Sequence, residues 1–537
     1  MNKPDAGMRD VNHYANKLPK WRHAVRQFLI PIVRAETPYL ACMQEKYRTP
    51  ALDSYFAFTA NLGTHTFFMI MLPILFWCGY TSIGRAMVNV LAAGVFWSGF
   101  VKDMLCLPRP LSPPLQRITM SGSAALEYGF PSTHSTNAIS VAVCAIHGLR
   151  QSTTGENSTL YLVFQGLFCF YGLSIVVGRL YCGMHGFFDV VIGSILGALI
   201  GLFQIIFGDW FDLWITQDHY INPLIAVLII LVLVRIHPEP ADDCPCFDDS
   251  VSFAGTVIGC QIGMWHYSQT SYSTDSPIPG TVPYDLQSVG WLYSFIRLVI
   301  GVLVIFAWRG TMKPTLLKIL PPVFRVIESA ELNLPRRFFL QASQYTSVPN
   351  LRKDDNVIPP ASDLPRLFTT LRHPRKRAIS VGPQSAADAY ETLAYRQRKR
   401  RESMDSDRAT SPGPKSRNTT DESHSSATSS NPNRPLKIDI LAPQMADRLN
   451  EHEKAMGTGD ISKIDIAVET PMGERINPLE EEEEREDREM FDRLERPRVR
   501  YDVEVVTKLI IYSGIGWLAV EGNPFFFELV GLGMRGS

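Results

Sequence analysis

Between Asn61 and Trp308 the chain is a succession of long apolar runs separated by short polar joints. Leu62 to Trp77, Arg85 to Met104, Ser135 to Leu149, Leu160 to Val177, Val190 to Phe207, Pro223 to Val234, Val251 to Trp265 and Gly290 to Trp308 are all dominated by apolar residues, and Val505 to Val520 adds one more near the C-terminus. Runs of this length exclude a simple soluble enzyme and point to a bilayer, whose ~30 Å of hydrocarbon takes about 20 helical residues to cross. In lipid the backbone must be satisfied by a helix or a closed barrel, and these runs are too continuous for the alternation of barrel strands. The predicted fold is therefore all-α, a polytopic transmembrane helical bundle. Trp210, Trp214, Trp265, Trp291 and Trp308 sit at or near run ends, where interfacial aromatics belong. Gly193, Gly197 and Gly201 recur every four residues, a pattern that lets helices approach closely.

The flanks differ in kind. Residues 1–60 form a basic N-terminal segment in which Lys17, Lys20, Arg22, Arg26 and Arg34 surround Phe28 to Val33. It is expected to lie at the membrane interface or as a surface helix on the core, and it has no apolar stretch of signal-peptide type before Pro19. The membrane core covers 61–310, a membrane-proximal segment 311–346, and a C-terminal apolar helix 501–537. Between them, 347–500 is polar, with basic clusters such as Arg398 to Arg401, a Ser-rich tract around Ser423 to Ser430, and an acidic run from Glu480 to Glu484. That composition cannot build a core and predicts a long disordered tail. Ser380 and Ser403 each follow an arginine by three residues, so kinases and regulatory partners are the partners expected there. A net charge of −1 argues against nucleic acid as a partner. Nine scattered cysteines match neither a disulfide scaffold nor a zinc finger. Cys244-Pro245-Cys246 is an incomplete ligand set, so no metal is expected.

Polar residues at the ends of apolar spans are expensive and are functional candidates by default. Three clusters stand out: Lys102 with Arg109 between two prolines, Pro131-Ser132-Thr133-His134, and Arg179 with His185 and Asp189. Span parity brings all three to one face. Lys102, Arg109 and Arg179 around one point suit a tetrahedral dianion such as phosphate, and Ser132 with the amides that open the next helix would add neutral donors. His185 and Asp189 at i, i+4 face the same side of a helix. An Asp accepting from one ring nitrogen leaves the other as a nucleophile, and His134 is then available as general acid for a poor alkoxide leaving group.

Lys102-x6-Arg109-Pro110, Pro131-Ser132-x-His134 and Arg179-x5-His185-x3-Asp189 resemble the three signature motifs of the type 2 phosphatidic acid phosphatase superfamily. Two positions depart from the usual pattern: Thr133 stands where the second motif has Gly, and Gly178 where the third begins with Ser. Tyr128 to His134, Arg179 to His185 and the stretch His237 to Asp249 are more particularly similar to the long-chain-base-phosphate (sphingosine-1-phosphate) phosphatases. The resemblance implies a cofactor-free, metal-independent hydrolysis in two steps. His185 is the nucleophile that forms a phosphohistidine, Asp189 orients it, and His134 is the acid and then the base. Lys102, Arg109, Ser132 and Arg179 bind the phosphoryl group. It also implies a membrane lipid substrate, a sphingoid long-chain-base 1-phosphate, and a multi-pass protein of the endoplasmic reticulum with a lumenal site; on charge alone, Asp103 or Asp189 is the acid expected near that substrate's amine. Span parity and the basic tail place site and tail together on the cytosolic face instead. The alternatives are a phosphatase for phosphatidic acid, diacylglycerol pyrophosphate or a polyprenyl diphosphate, and, from another class, a catalytically silent membrane scaffold, whose mark would be loss of His134, His185 or Asp189.

Overall fold

The computed structural model describes residues 6–61, 65–112, 114–119, 127–152, 158–333, 335–348, 380–381 and 499–534. The expected disordered tail, 347–500, lies almost wholly outside these residues, as do Ser403 and Leu62. Four helices precede the membrane runs: α1 (Val11–Lys17), α2 (Lys20–Ala35), α3 (Thr37–Tyr47) and α4 (Pro50–Asn61). The bundle follows as α5 (His65–Trp77), α6 (Thr81–Leu105), α7 (Thr133–Ser152), α8 (Ser158–Tyr181), α9 (Phe187–Ile215), α10 (Ile221–Ile236) and α11 (Cys246–Ser268). A short α12 (Leu286–Val289) leads into α13 (Trp291–Ser329), and the chain closes with α14 (Val503–Trp517), a π-helical turn at Leu518–Gly522, and α15 (Asn523–Leu529).

Among the described residues, five helical stretches are long and apolar enough to cross a membrane: Thr81–Leu105, Thr159–Tyr181, Phe187–Ile215, Trp291–Ser329 and Val503–Leu529. Helices α7 and α11 are comparably long, at 20 and 23 residues, but carry too much polar surface to face lipid. They lie inside instead. Ser135, Thr136 and Ser140 of α7 and Ser250 of α11 are fully buried, and α7 packs against α6, α8 and α9 while α11 packs against α6, α10 and α14. Their hydroxyls turn back on the helix or reach a neighbour, as when Thr136 Oγ1 donates to Gly193 O on α9 at 3.0 Å. Interior polar groups are thereby satisfied where no water is available.

The glycine stripe of α9 is what sets the α7–α9 contact. A Cβ on Gly193 would meet Ser132 O at 2.6 Å, one on Gly197 would collide with the Thr136 carbonyl, and one on Gly201 would touch Val143 Cγ1 at 3.0 Å. Close backbone approach then holds Ser132 N on Asp189 O at 3.0 Å, so two motifs share one hydrogen bond. Gly197→Val should therefore lower stability by about 1–3 kcal/mol, the usual penalty for overpacking. The expected readout is a fall of several degrees in the melting temperature of the detergent-purified protein; an unchanged melting temperature would show that α9 can move off α7 at no cost.

The C-terminal apolar run is a core element. Ile511, Ile515 and Leu518 pack with Phe76, Trp77, Cys260, Met264 and Ile305. Trp77 Nε1 donates to Ala519 O at 3.0 Å and Trp308 Nε1 to Ile511 O at 3.1 Å. Gly259 and Gly516 allow α11 and α14 to touch, since a Cβ on either would strike the other helix's backbone.

The basic N-terminal segment is locked to the site end of the bundle. Arg22 and Arg26 are buried. Arg22 donates to Met104 O at 2.7 Å and Asp103 O at 2.6 Å, and Arg26 to Cys106 O at 3.2 Å with its guanidinium 3.5 Å from the Tyr14 ring centroid. They thus satisfy carbonyls at the C-terminus of α6, where cations are favoured. Arg500, placed in the tail by composition, is likewise buried. It pairs with Asp243 at 3.1 Å and Asp248 at 3.2 Å, donates to Cys244 O at 3.0 Å, and with Tyr501 forms a two-residue parallel ladder to Phe339–Leu340. Arg336, just before that strand, donates to His237 O at 3.2 Å, and the His237 ring lies 3.7 Å from Asp103 at the end of α6. Residues 336–340 and 500–501, on either side of the polar segment, therefore both lie at the end of the bundle where α6 finishes.

Candidate active site

Helices α6 and α8 end, and α7 and α9 begin, at that same end of the bundle. Lys102 lies in the last turn of α6 and is buried. Cys106 then takes a left-handed conformation, φ 53°, with its N–H on Lys102 O at 2.9 Å. This turns the chain sharply into Leu107-Pro108-Arg109-Pro110, where proline forbids further helix. Glycine 129 brings the second motif against this loop. Its N–H donates to Leu107 O at 3.0 Å, and a Cβ there would meet Pro108 O at 2.8 Å. The turn out of α8 passes through Gly183 at φ 62°, which delivers His185 between Arg179 and Asp189.

The geometry around His185 fixes its tautomer. Its Nδ1 lies 2.9 Å from Gly129 O. A carbonyl can only accept, so Nδ1 carries the proton and Nε2 keeps its lone pair. Arg109 Nη1 sits 3.3 Å from Nε2 and donates to Met184 O at 2.8 Å. Asp189 Oδ2 is 3.6 Å from Nδ1, beyond hydrogen-bond distance, and accepts from Gly186 N at 2.9 Å. The expected hydrogen bond from His185 to Asp189 is thus replaced by one to Gly129, with the carboxylate behind it as a fixed negative charge. Burial first, and then the positive charges of Arg109, Lys102, Arg179 and His134, hold the His185 imidazole well below its usual pKa. Both effects favour the neutral ring. Arg109 touches it directly, and Lys102 is joined to Arg109 through Glu127.

The remaining motif residues fall around this point. Ser132 is fully buried at the start of α7, and its Oγ accepts from Ser135 Oγ at 2.9 Å, which leaves its own proton to donate. Thr133 accepts from Ser98 Oγ at 2.9 Å, tying α7 to α6 with the hydroxyl that glycine would lack. His134 is half-buried in the first turn of α7. Arg179 is buried and its Nε has no hydrogen-bond partner among the described residues. A buried guanidinium in that state has a donor left over for an acceptor that arrives from outside. Gly178 makes room for Phe56 of α4, whose Cδ1 would lie 2.9 Å from a Cβ there, which accounts for the missing serine.

Three participants were not legible as such in the sequence. Gly129 acts through its carbonyl. Glu36 of the N-terminal segment accepts from Phe188 N at 2.8 Å and so caps the first turn of α9 beneath Asp189. Glu127 places its carboxylate 3.3 Å from both Lys102 Nζ and Arg109 Nη2, and its carbonyl accepts from Arg109 Nε at 3.1 Å. Its position directly before Tyr128-Gly129 was the available signal, but an acid is not what an anion site suggests. Asp103 lies against the Cys244–Cys246 turn and His237. It is fully buried, and its carboxylate and the Cys244 and Cys246 sulfurs lie within 4.8 Å of one another. Three donors fall short of the four of a structural zinc site, and the His237 ring is engaged by Pro238 O and Ser250 Oγ, each at 3.2 Å.

Comparison with known proteins agrees with this geometry. Residues 83–211 match the PAP2 superfamily. A dihydrosphingosine 1-phosphate phosphatase of Schizosaccharomyces pombe is 40% identical over 329 residues, 61% of this chain and 78% of the relative. One from Saccharomyces cerevisiae is 34% identical over 311 residues, 58% and 75%. Human sphingosine-1-phosphate phosphatase 2 is 26% identical over 307 residues, 55% and 73%. No solved structure matches. The chain belongs to the PAP2 superfamily and, within it, to the group of sphingoid-base-phosphate phosphatases. It is a multi-pass membrane enzyme, a lipid phosphatase.

Proposed function

We propose that this enzyme hydrolyses sphingoid long-chain-base 1-phosphates to the free base and phosphate, in the endoplasmic reticulum membrane, through a phosphohistidine at His185. The observation that carries the reading is the hydrogen bond of His185 Nδ1 to Gly129 O, which leaves Nε2 as the unprotonated nitrogen, facing Arg109 Nη1 at 3.3 Å, together with the buried Arg179, whose Nε has no hydrogen-bond partner among the described residues. Lys102, Arg109, Arg179 and Ser132 hold the non-bridging oxygens. Nε2 attacks phosphorus, the P–O bond to the lipid breaks, and His134 gives its proton to the departing alkoxide. Phosphorylation leaves the imidazole ring positive, which Gly129 O at 2.9 Å and Asp189 at 3.6 Å stabilise. In the second half His134 takes a proton from water, the resulting hydroxide attacks phosphorus, the P–N bond breaks and phosphate leaves. Neither half needs more than positioned charge, as expected for phosphoryl transfer.

The sphingoid substrate is supported by the relatives' names and by 40% identity across 78% of one of them. The apolar outer faces of α8 and α9 would accommodate the single chain while the headgroup reaches the motif end of the bundle. The segments 1–60 and 347–500 are proposed as sites of anchoring and of regulation by kinases or other partners. In mixed micelles at equal surface fraction, kcat/KM for dihydrosphingosine 1-phosphate should exceed that for phosphatidic acid by about tenfold or more, ~1.4 kcal/mol of transition-state discrimination. Equal values, or a preference for phosphatidic acid, would leave the phosphatase standing and remove the sphingoid assignment.

A further inference from the structure

The acid expected to sense the substrate's amine was Asp103 or Asp189, and neither is placed to do so. Both are fully buried. Asp103 lies against the Cys244–Cys246 turn and His237, and Asp189 is spent on Gly186 N and the back of His185. Glu127 is differently situated. Its Oε2 bridges Lys102 Nζ and Arg109 Nη2, both at 3.3 Å, and its side chain keeps 26% of its exposure where theirs keep 4% and 5%. It therefore stands on the open side of the cationic cradle, on two of the groups that take the phosphoryl oxygens.

A carboxylate there conflicts with binding a dianion unless something compensates it. When phosphate takes Lys102 and Arg109, Glu127 loses two cations and faces a like charge across a partly desolvated pocket. A sphingoid-base 1-phosphate carries the remedy, because its ammonium sits on the carbon next to the phosphate-bearing one. The exchange is then ion pair for ion pair: phosphate to Lys102 and Arg109, ammonium to Glu127. A glycerol-based phosphate has no cation to offer and leaves the carboxylate uncompensated. This is specificity obtained by penalising the wrong ligand as much as by attracting the right one.

We propose that Glu127 is the residue that selects for an amine next to the phosphate, an inference that rests on the sphingoid reading above. The test uses the full chain in detergent, with Glu127→Gln and Glu127→Asp beside the wild type. For each protein, kcat/KM is measured on dihydrosphingosine 1-phosphate and on lysophosphatidic acid, a single-chain phosphate monoester without an amine. The ratio of the two is independent of the fraction of protein that folded. The wild type should favour the amine-bearing lipid. Glu127→Gln should reduce that ratio on the order of tenfold, through a loss on the first substrate and a gain on the second, and Glu127→Asp should keep part of it. A ratio unchanged in Glu127→Gln, whether both activities rise, fall or stay level, would overturn the proposal and reduce Glu127 to a plug or a brace. A wild type with no preference would sink the sphingoid reading and this inference together, whereas a wild-type preference that survives Glu127→Gln sinks this inference alone.

Discussion

His185→Ala should abolish turnover and covalent labelling together, with kcat falling by roughly 10⁴-fold or more, as when the nucleophile of a concerted catalytic unit is removed. The reason is local. Nε2 is held as the unprotonated nitrogen by the Nδ1–Gly129 O hydrogen bond at 2.9 Å and faces Arg109 Nη1 at 3.3 Å, and alanine offers no lone pair in its place. The experiment is acid-labile ³²P incorporation from labelled substrate, run beside steady-state turnover. His134→Ala makes the informative partner. It lacks the general acid but keeps the nucleophile, so with an activated leaving group, which departs without a proton, it should still accumulate the phosphoenzyme. Ordinary turnover by purified His185→Ala would show the nucleophile to be another group.

Arg179→Met should separate activity from stability. The wild-type guanidinium is buried, and its Nε lacks any hydrogen-bond partner among the described residues. Burying such a donor costs free energy in the empty enzyme, and that cost is recovered when a phosphoryl oxygen arrives. An apolar side chain of similar length relieves the cost and loses the stabilisation of developing charge. The expected result is a fall in kcat/KM of about 10²–10³, about 3–4 kcal/mol, the range seen when one oxyanion donor is removed. The melting temperature without ligand should be unchanged or higher. Vanadate should raise the wild-type melting temperature and leave that of the variant unmoved. A variant that melts well below the wild type would mean that Arg179 is a structural residue with partners of its own.

Much of the molecule was legible in the chain. Long apolar runs leave helices in a bilayer as the only way to satisfy the backbone, and the bundle followed. Lys102, Arg109, Ser132, His134, Arg179, His185 and Asp189 stood out as candidates because polar and charged groups at the ends of apolar spans are expensive, and all of them lie at the end of the bundle where α6 and α8 finish and α7 and α9 begin. The every-fourth glycines of α9 predicted a close contact, and Gly197 lies against the Thr136 carbonyl.

What the sequence could not convey was which polar atom meets which. Apolar periodicity distinguishes inside from outside but not lipid from protein, so α7 and α11 read as spans of the same kind as α9 until their buried hydroxyls placed them inside the bundle. The run from Val505 to Val520 read as a separate C-terminal apolar helix, and only its packing on α11 makes it core. Arg500 looked like tail until its ion pairs with Asp243 and Asp248 put it at the active-site end. With Arg336 anchored on His237 O, both ends of the polar segment lie at the end of the bundle where α6 finishes. Gly129 and Glu127 act through a carbonyl and an acid whose roles depend on atoms far off in the chain, at 56 and 25 residues' distance. Residue types and spacing determine which groups can be charged, buried or helical. Hydrogen bonds, ion pairs and nucleophilicity depend on distances of a few tenths of an ångström, and those are decided only when the helices have packed.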